Sequence, residues 1–159
     1  MNAPPTKSET TASNDRQSRV VLIVSARFEH RRVLLRILER LNIDALACST
    51  LAQARAALSN RTTALSFCDE NLPDGTYRDF LDLRDMELNP PHVIVTMLND
   101  EWEQYLEAIR RGAFDVLQFP FAPTDVELSL IHAMREGETC WQGRNHHGET
   151  PESRLLPGS

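Results

Sequence analysis

The sequence predicts a parallel α/β sandwich, five strands alternating with five helices, and three observations carry that prediction. Residues 20–24, Val-Val-Leu-Ile-Val, form a continuous β-branched run suited to a strand covered on both faces. Beyond it, short strand-like runs alternate with stretches of helical spacing, and Pro or Gly marks several of the joints. Ser25, Asp69 and Thr96 each end a separate apolar run. In a parallel sheet with right-handed crossovers, such positions share the carboxyl edge, where ligands and reacting groups gather.

Each element follows from its own pattern. After the first strand, Val33, Leu34, Ile37, Leu38 and Leu41 recur at helical spacing. Residues 43–48 read as the second strand, and Leu51, Ala54, Ala57 and Leu58 mark the second helix. The third strand covers 64–68 and ends on Asp69; Pro73, Asp74 and Gly75 then signal a turn. Tyr77, Phe80, Leu81 and Leu83 fit a third helix, and Pro90-Pro91 punctuates the chain before a fourth strand over 92–96. A helix over 100–111 stops at Gly112, residues 115–118 form the shortest strand, and Pro123 opens the last helix. The expected buried stripe of that helix includes Val126, Leu128, Leu130 and Ile131 and reaches Met134.

A length of 159 residues suits one domain with a sizeable core. That domain is expected over 19–136, between a flexible polar tail at 1–18 and a mostly flexible one at 137–159. In the second tail, Trp141 is a candidate for docking onto the body and Leu155-Leu156 for a small partner contact. The net charge of −6 argues against direct nucleic-acid binding. No apolar stretch approaches the roughly 20 residues of a membrane span. Three cysteines without metal-like spacing, and no basic-then-apolar leader, make a reducing cytoplasm the expected location.

Taken alone, Asp69 has three readings: a phosphate acceptor, a metal ligand, or a solvent-facing carboxylate that ends a strand. Thr96 and Ser25 have parallel explanations as strand-end or capping residues. Cys68 reads as a buried core thiol rather than a reactive one. His146-His147 with Cys140 lacks structural-zinc spacing. Arg31, Arg32 and Arg36 form a basic helix face, for which solvation or partner contact are the ordinary explanations.

The run Val21-Leu22-Ile23-Val24, the stretch 69–75 and the segment 110–121 (Arg-Arg-Gly-Ala-Phe-Asp-Val-Leu-Gln-Phe-Pro-Phe) together resemble a response-regulator receiver domain of two-component signalling. The resemblance covers residues 19–135 and takes an atypical, pseudo-receiver-like form. It implies a five-stranded parallel sheet flanked by five helices, in the flavodoxin-like order 2-1-3-4-5. It puts Asp69 at the family's phospho-acceptor position and Thr96 at its phosphoryl-contacting hydroxyl. The acidic pair that helps hold magnesium corresponds to Ser25 and Ala26. The usually small residue after Thr96 is Met97, expected to crowd the pocket. The phosphate-facing lysine is replaced by Phe119, which has no cation to offer, and the switch aromatic by Val116.

The implied function is a non-enzymatic signal-transduction domain that acts mainly by protein–protein recognition, with impaired magnesium-dependent phosphorylation and no cofactor expected. Partners are a kinase or another signalling protein, with a homodimer as one arrangement. The family's partner face maps to 100–111, Asp115–Gln118 and 123–135, where Trp102 and Tyr105 are aromatic anchors; a core or lid role for Trp102 is an equal alternative. Two other functions remain open. One is a working phosphorelay receiver, accepting phosphate on Asp69 with weak magnesium binding through that carboxylate and the Asn71 carbonyl. The other is a small-ligand sensor lined by Ser25, Asp69, Thr96 and Phe119. If Asp69 is an exposed or open-pocket carboxylate, Asp69→Asn should cost little or even stabilise the fold.

Overall fold

The β-branched opening run becomes β1 (Arg19–Val24), and the chain alternates from there: α1 (Phe28–Arg40), β2 (Ala45–Cys48), α2 (Leu51–Asn60) and β3 (Thr62–Asp69). A small hairpin, β4 (Asn71–Leu72) and β5 (Gly75–Thr76), leads into α3 (Tyr77–Asp85). The last elements are β6 (His92–Met97), α4 (Trp102–Arg110), β7 (Asp115–Gln118) and α5 (Pro123–Asn145). This computed structural model describes residues 19–99 and 101–145, with side chains described for 20–99 and 101–136. The five long strands pair in parallel in the order β2-β1-β3-β6-β7. Counted as principal strands, that is the order 2-1-3-4-5.

Strand side chains alternate between faces, so the sheet has two cores. Leu22, Val24, Cys68, Val93, Val95 and Met97 pack against α2, α3 and Ala108 of α4. Val21, Ile23, Leu65, Phe67 and Ile94 face α1 and α5 through Leu34, Leu38, Val126 and Leu130. This parity matters at the carboxyl edge. Ser25, Asp69 and Thr96 each follow a residue of the second set by two positions, so all three belong to the α1/α5 layer.

Local chemistry fixes the loops that hold this edge. The Thr50 hydroxyl accepts from the Gln53 amide at the start of α2. Asp74, in the turn between β4 and β5, adds a second cap by accepting from the Leu51 and Ala52 amides at 2.8 and 3.1 Å. Those bonds, that from Leu51 first, hold the Asp74 carboxyl below the usual range. Thr76 and Asp79 form a capping box at α3. Gly75 is required between these caps, because a Cβ there would lie 2.3 Å from Leu51 Cδ1. Gly112 follows α4 at φ +107°, a conformation side chains disfavour. Helices α3 and α4 are joined by Arg78, whose Nε and Nη2 donate to Glu107 at 2.6 and 2.8 Å. Arg78 first, then Arg111, holds the Glu107 pKa down to about 2.

The turn expected after Asp69 is present and closes a hairpin too short to show alternation. Several other expectations are corrected. The second strand begins at Ala45, not 43, and α4 occupies Trp102–Arg110. In α5 the buried stripe is Val126, Leu130 and Ala133, whereas Leu128, Ile131 and Met134 are exposed. A run of apolar residues at 126, 128, 130, 131 and 134 spreads around the helix, so periodicity alone did not select the buried side. The same helix continues through Asn145. His146, His147, Leu155 and Leu156 lie outside the described residues, as do the side chains of Cys140 and Trp141. Among the described residues, no helix is long and apolar enough to cross a membrane.

His92, at the start of β6, packs against Phe114 with ring centroids 4.7 Å apart. Burial is the main force lowering its pKa; Glu136 opposes the shift and Arg84 adds to it. As pH falls through the ordinary histidine range near 6.5, the unfolded chain therefore takes up a proton before the folded one does. Stability should drop as pH is lowered from about 7 towards the depressed folded value. Thermal melts of wild type and His92→Gln at pH about 7.5 and about 5.5 test this. An equal acid sensitivity in both proteins contradicts it.

Candidate functional site

Asp69 ends β3 with its side chain on the α1/α5 side, 3% exposed. It is fully engaged by the protein. Ser25, one residue past β1, donates from Oγ to Asp69 Oδ2 at 2.5 Å. Thr96 in β6 donates from Oγ1 to Oδ1 in a short bond, and His30 of α1 places Nδ1 2.8 Å from the same oxygen. A carboxylate only accepts, so Nδ1–H is the donor of that last bond. Ser25, His30 and Thr96 are all buried.

The edge is held in place from below. The Ser25 amide donates to Cys48 O, its carbonyl accepts from Arg31 Nη1 at 2.6 Å, and its Oγ accepts from the Arg27 amide at 3.0 Å. The Glu70 amide donates to Thr96 O, which keeps the ends of β3 and β6 level. Phe119 packs on the His30 side of the cluster. Its ring stacks on His30 with centroids 4.3 Å apart, and Phe121 meets both rings edge-on at 5.4 and 5.3 Å. His30 Nε2 is buried without a hydrogen-bond partner.

Sequence reasoning therefore located Ser25, Asp69, Thr96 and Phe119 together, and the structure gathers them at one edge. It corrects the picture of Asp69 as a solvent-facing or open-pocket carboxylate: the side chain is buried and satisfied by three donors. Met97 does not crowd this site, because strand parity turns it into the opposite core. Val116 packs partly buried against that same core. Ala26, Arg27 and Glu29 are exposed, and Glu29 makes no bond to the cluster. Trp102 is neither core nor lid; it is 67% exposed and stacks on Tyr105 at 5.3 Å. Cys68 points the other way, fully buried, with its thiol pKa pushed up chiefly by burial and then by Asp69.

His30 is the residue the sequence reading missed. The signal was present, because positions 30, 34, 37, 38 and 41 lie on one helical stripe and the first is a histidine. A polar residue on an apolar stripe calls for a buried partner, and Asp69 is that partner.

The residues present do not fit a divalent magnesium ion. Such an ion needs a near-octahedral oxygen shell, usually one or two carboxylates with free oxygens completed by water. Here the acidic-pair positions hold Ser25, which donates to Asp69, and Ala26, which has no ligand atom. Both Asp69 oxygens already accept protein hydrogen bonds. Among the described residues, no group of three or more His, Cys, Asp and Glu side chains is placed to hold a metal.

The sequence matches no family model and no curated protein. Solved structures do match. A CheY-like response-regulator receiver domain from Methanospirillum hungatei aligns over 77% of this chain and 97% of its own, with 20% identity and a TM-score of 0.68. The receiver domain of an HD-domain protein from Pseudomonas fluorescens aligns over 79% and 93%, with 17% identity and a TM-score of 0.72. The beryllofluoride-activated NtrC4 receiver domain, solved as a dimer, aligns over 76% and 98%, with 26% identity and a TM-score of 0.69. The fold of this chain is that of response-regulator receiver domains.

Proposed function

We propose that this chain is a receiver-fold signal-transduction module that works through protein–protein contact and does not use Asp69 as an efficient phospho-acceptor. The observation that carries this reading is the engagement of Asp69 by Ser25, His30 and Thr96, with His30 stacked on the Phe119 ring. A nucleophilic carboxylate needs a free oxygen, an approach path and cations to neutralise the incoming phosphoryl group. This one has its oxygens occupied, its partner His30 stacked against the Phe119 ring, and no lysine at position 119. The proposed outward contact is the exposed α4 surface, where Trp102 and Tyr105 form a stacked pair of the residue types that anchor interfaces.

The test is intact-mass measurement after incubation with magnesium and a small-molecule phosphodonor, with Asp69→Asn run in parallel. No phosphoryl adduct is expected on the wild-type chain. A robust magnesium-dependent adduct that is lost in Asp69→Asn would overturn the reading.

A further inference from the structure

Helix α1 and its N-cap residue carry a disproportionate share of the positive charge. Arg27, Arg31, Arg32, Arg36 and Arg40 fall between residues 27 and 40, against Glu29 and Glu39, in a chain of net charge −6. Arg31 is turned inward onto the Ser25 carbonyl. Arg32, Arg36 and Arg40 are exposed, and their four-residue spacing sets them about 6 Å apart along the helix. None of the ion pairs among the described residues involves these three side chains, although Glu29 and Glu39 share the helix with them. Phe28, 64% exposed, stands at the head of the same side. The helix packs through His30, Leu34, Ile37 and Leu38 on its other side, so the arginine row contributes nothing to the core.

Like charges at i,i+4 weaken a helix slightly, so the row carries a small cost within the monomer. We propose that this face of α1 docks an acidic, helical segment of a protein partner that carries an apolar side chain for Phe28. The inference rests on the reading that the module acts by protein contact, and adds the partner's chemistry. Guanidinium groups take carboxylates in paired hydrogen bonds, and arginine and aromatic residues dominate interface energetics. The acidic remainder of the chain favours a short segment that spans only this patch over an extended polyanion such as nucleic acid, which would meet repulsion beyond it.

The probe is a fluorescein-labelled synthetic helical peptide with Glu at every fourth position and one Leu, followed by anisotropy with the full chain. Binding should weaken at least about tenfold between about 50 and 500 mM salt, as the screening length falls severalfold. The Arg32→Glu/Arg36→Glu variant should lose about tenfold or more, while Arg55→Glu, an exposed arginine of α2 in the other layer, should bind as wild type. Amide shifts of the wild-type protein on peptide addition should cluster on α1, which gives a reading even if the double variant folds poorly. No binding at low salt, equal binding by the double variant, shifts centred away from α1, or a duplex DNA that binds as tightly as the peptide would each overturn the proposal. Phosphodonor labelling of Asp69 is a separate measurement, so failure here with Asp69 unlabelled removes the docking face and leaves the functional reading intact.

Discussion

Asp69→Ala is expected to destabilise the protein by about 3–5 kcal/mol, because it strands three buried donors at once. Ser25, His30 and Thr96 all direct a hydrogen at this carboxylate, and each unsatisfied buried group costs roughly 1–3 kcal/mol, though not additively. Asp69→Asn should fall lower, at about 1–3 kcal/mol, since one amide oxygen still accepts while the amide nitrogen must turn towards a hydroxyl able to accept in return. Chemical denaturation of the three proteins, compared at constant slope, gives the ordering directly. A neutral or stabilising Asp69→Asn would restore the view of Asp69 as an isolated carboxylate in an open pocket.

Ile23→Ala should cost about 2–5 kcal/mol by cavity formation alone. Ile23 lies in β1, an interior strand flanked by β2 and β3, is fully buried, and packs in the α1/α5 core. The change removes no polar partner, so it serves as the apolar reference for the Asp69 series. A loss below about 1 kcal/mol would mean that the core around β1 collapses to fill the gap. Together the two series separate what packing holds from what the polar cluster holds.

The layered architecture was legible because the strands are apolar runs of the right length and their joints carry turn residues. Val20 to Val24 admits few readings other than a covered strand. The placement of Ser25, Asp69 and Thr96 at one edge followed from the same parity, since strand ends in a parallel sheet are collinear. What the sequence did not expose depends on tertiary contact. Asp69 could be placed at the edge, but its burial depends on Phe119 and His30 arriving from distant elements. Leu128 and Val126 are equally apolar, yet only one faces the sheet, a choice made by how α5 sits rather than by composition. The β4–β5 hairpin, with two residues per strand, lies below the length at which any period can be read.

The engagement of Asp69 also bears on how such a site changes over generations. A cluster open to a divalent cation lies several substitutions away, and the single steps are unfavourable. Ser25→Asp alone would press a second buried carboxylate against the first, where like charges repel strongly. Phe119→Lys alone would strip the aromatic cover from His30 and set a cation beside an imidazole. Replacing His30 alone removes a donor from Asp69 without freeing a metal position. Each route crosses a less stable intermediate, and natural domains have only about 5–15 kcal/mol to lose before unfolding. Mutual dependence among Ser25, His30, Asp69 and Phe119 thus acts as a ratchet: folding stability opposes each of these single changes, whatever the domain's function.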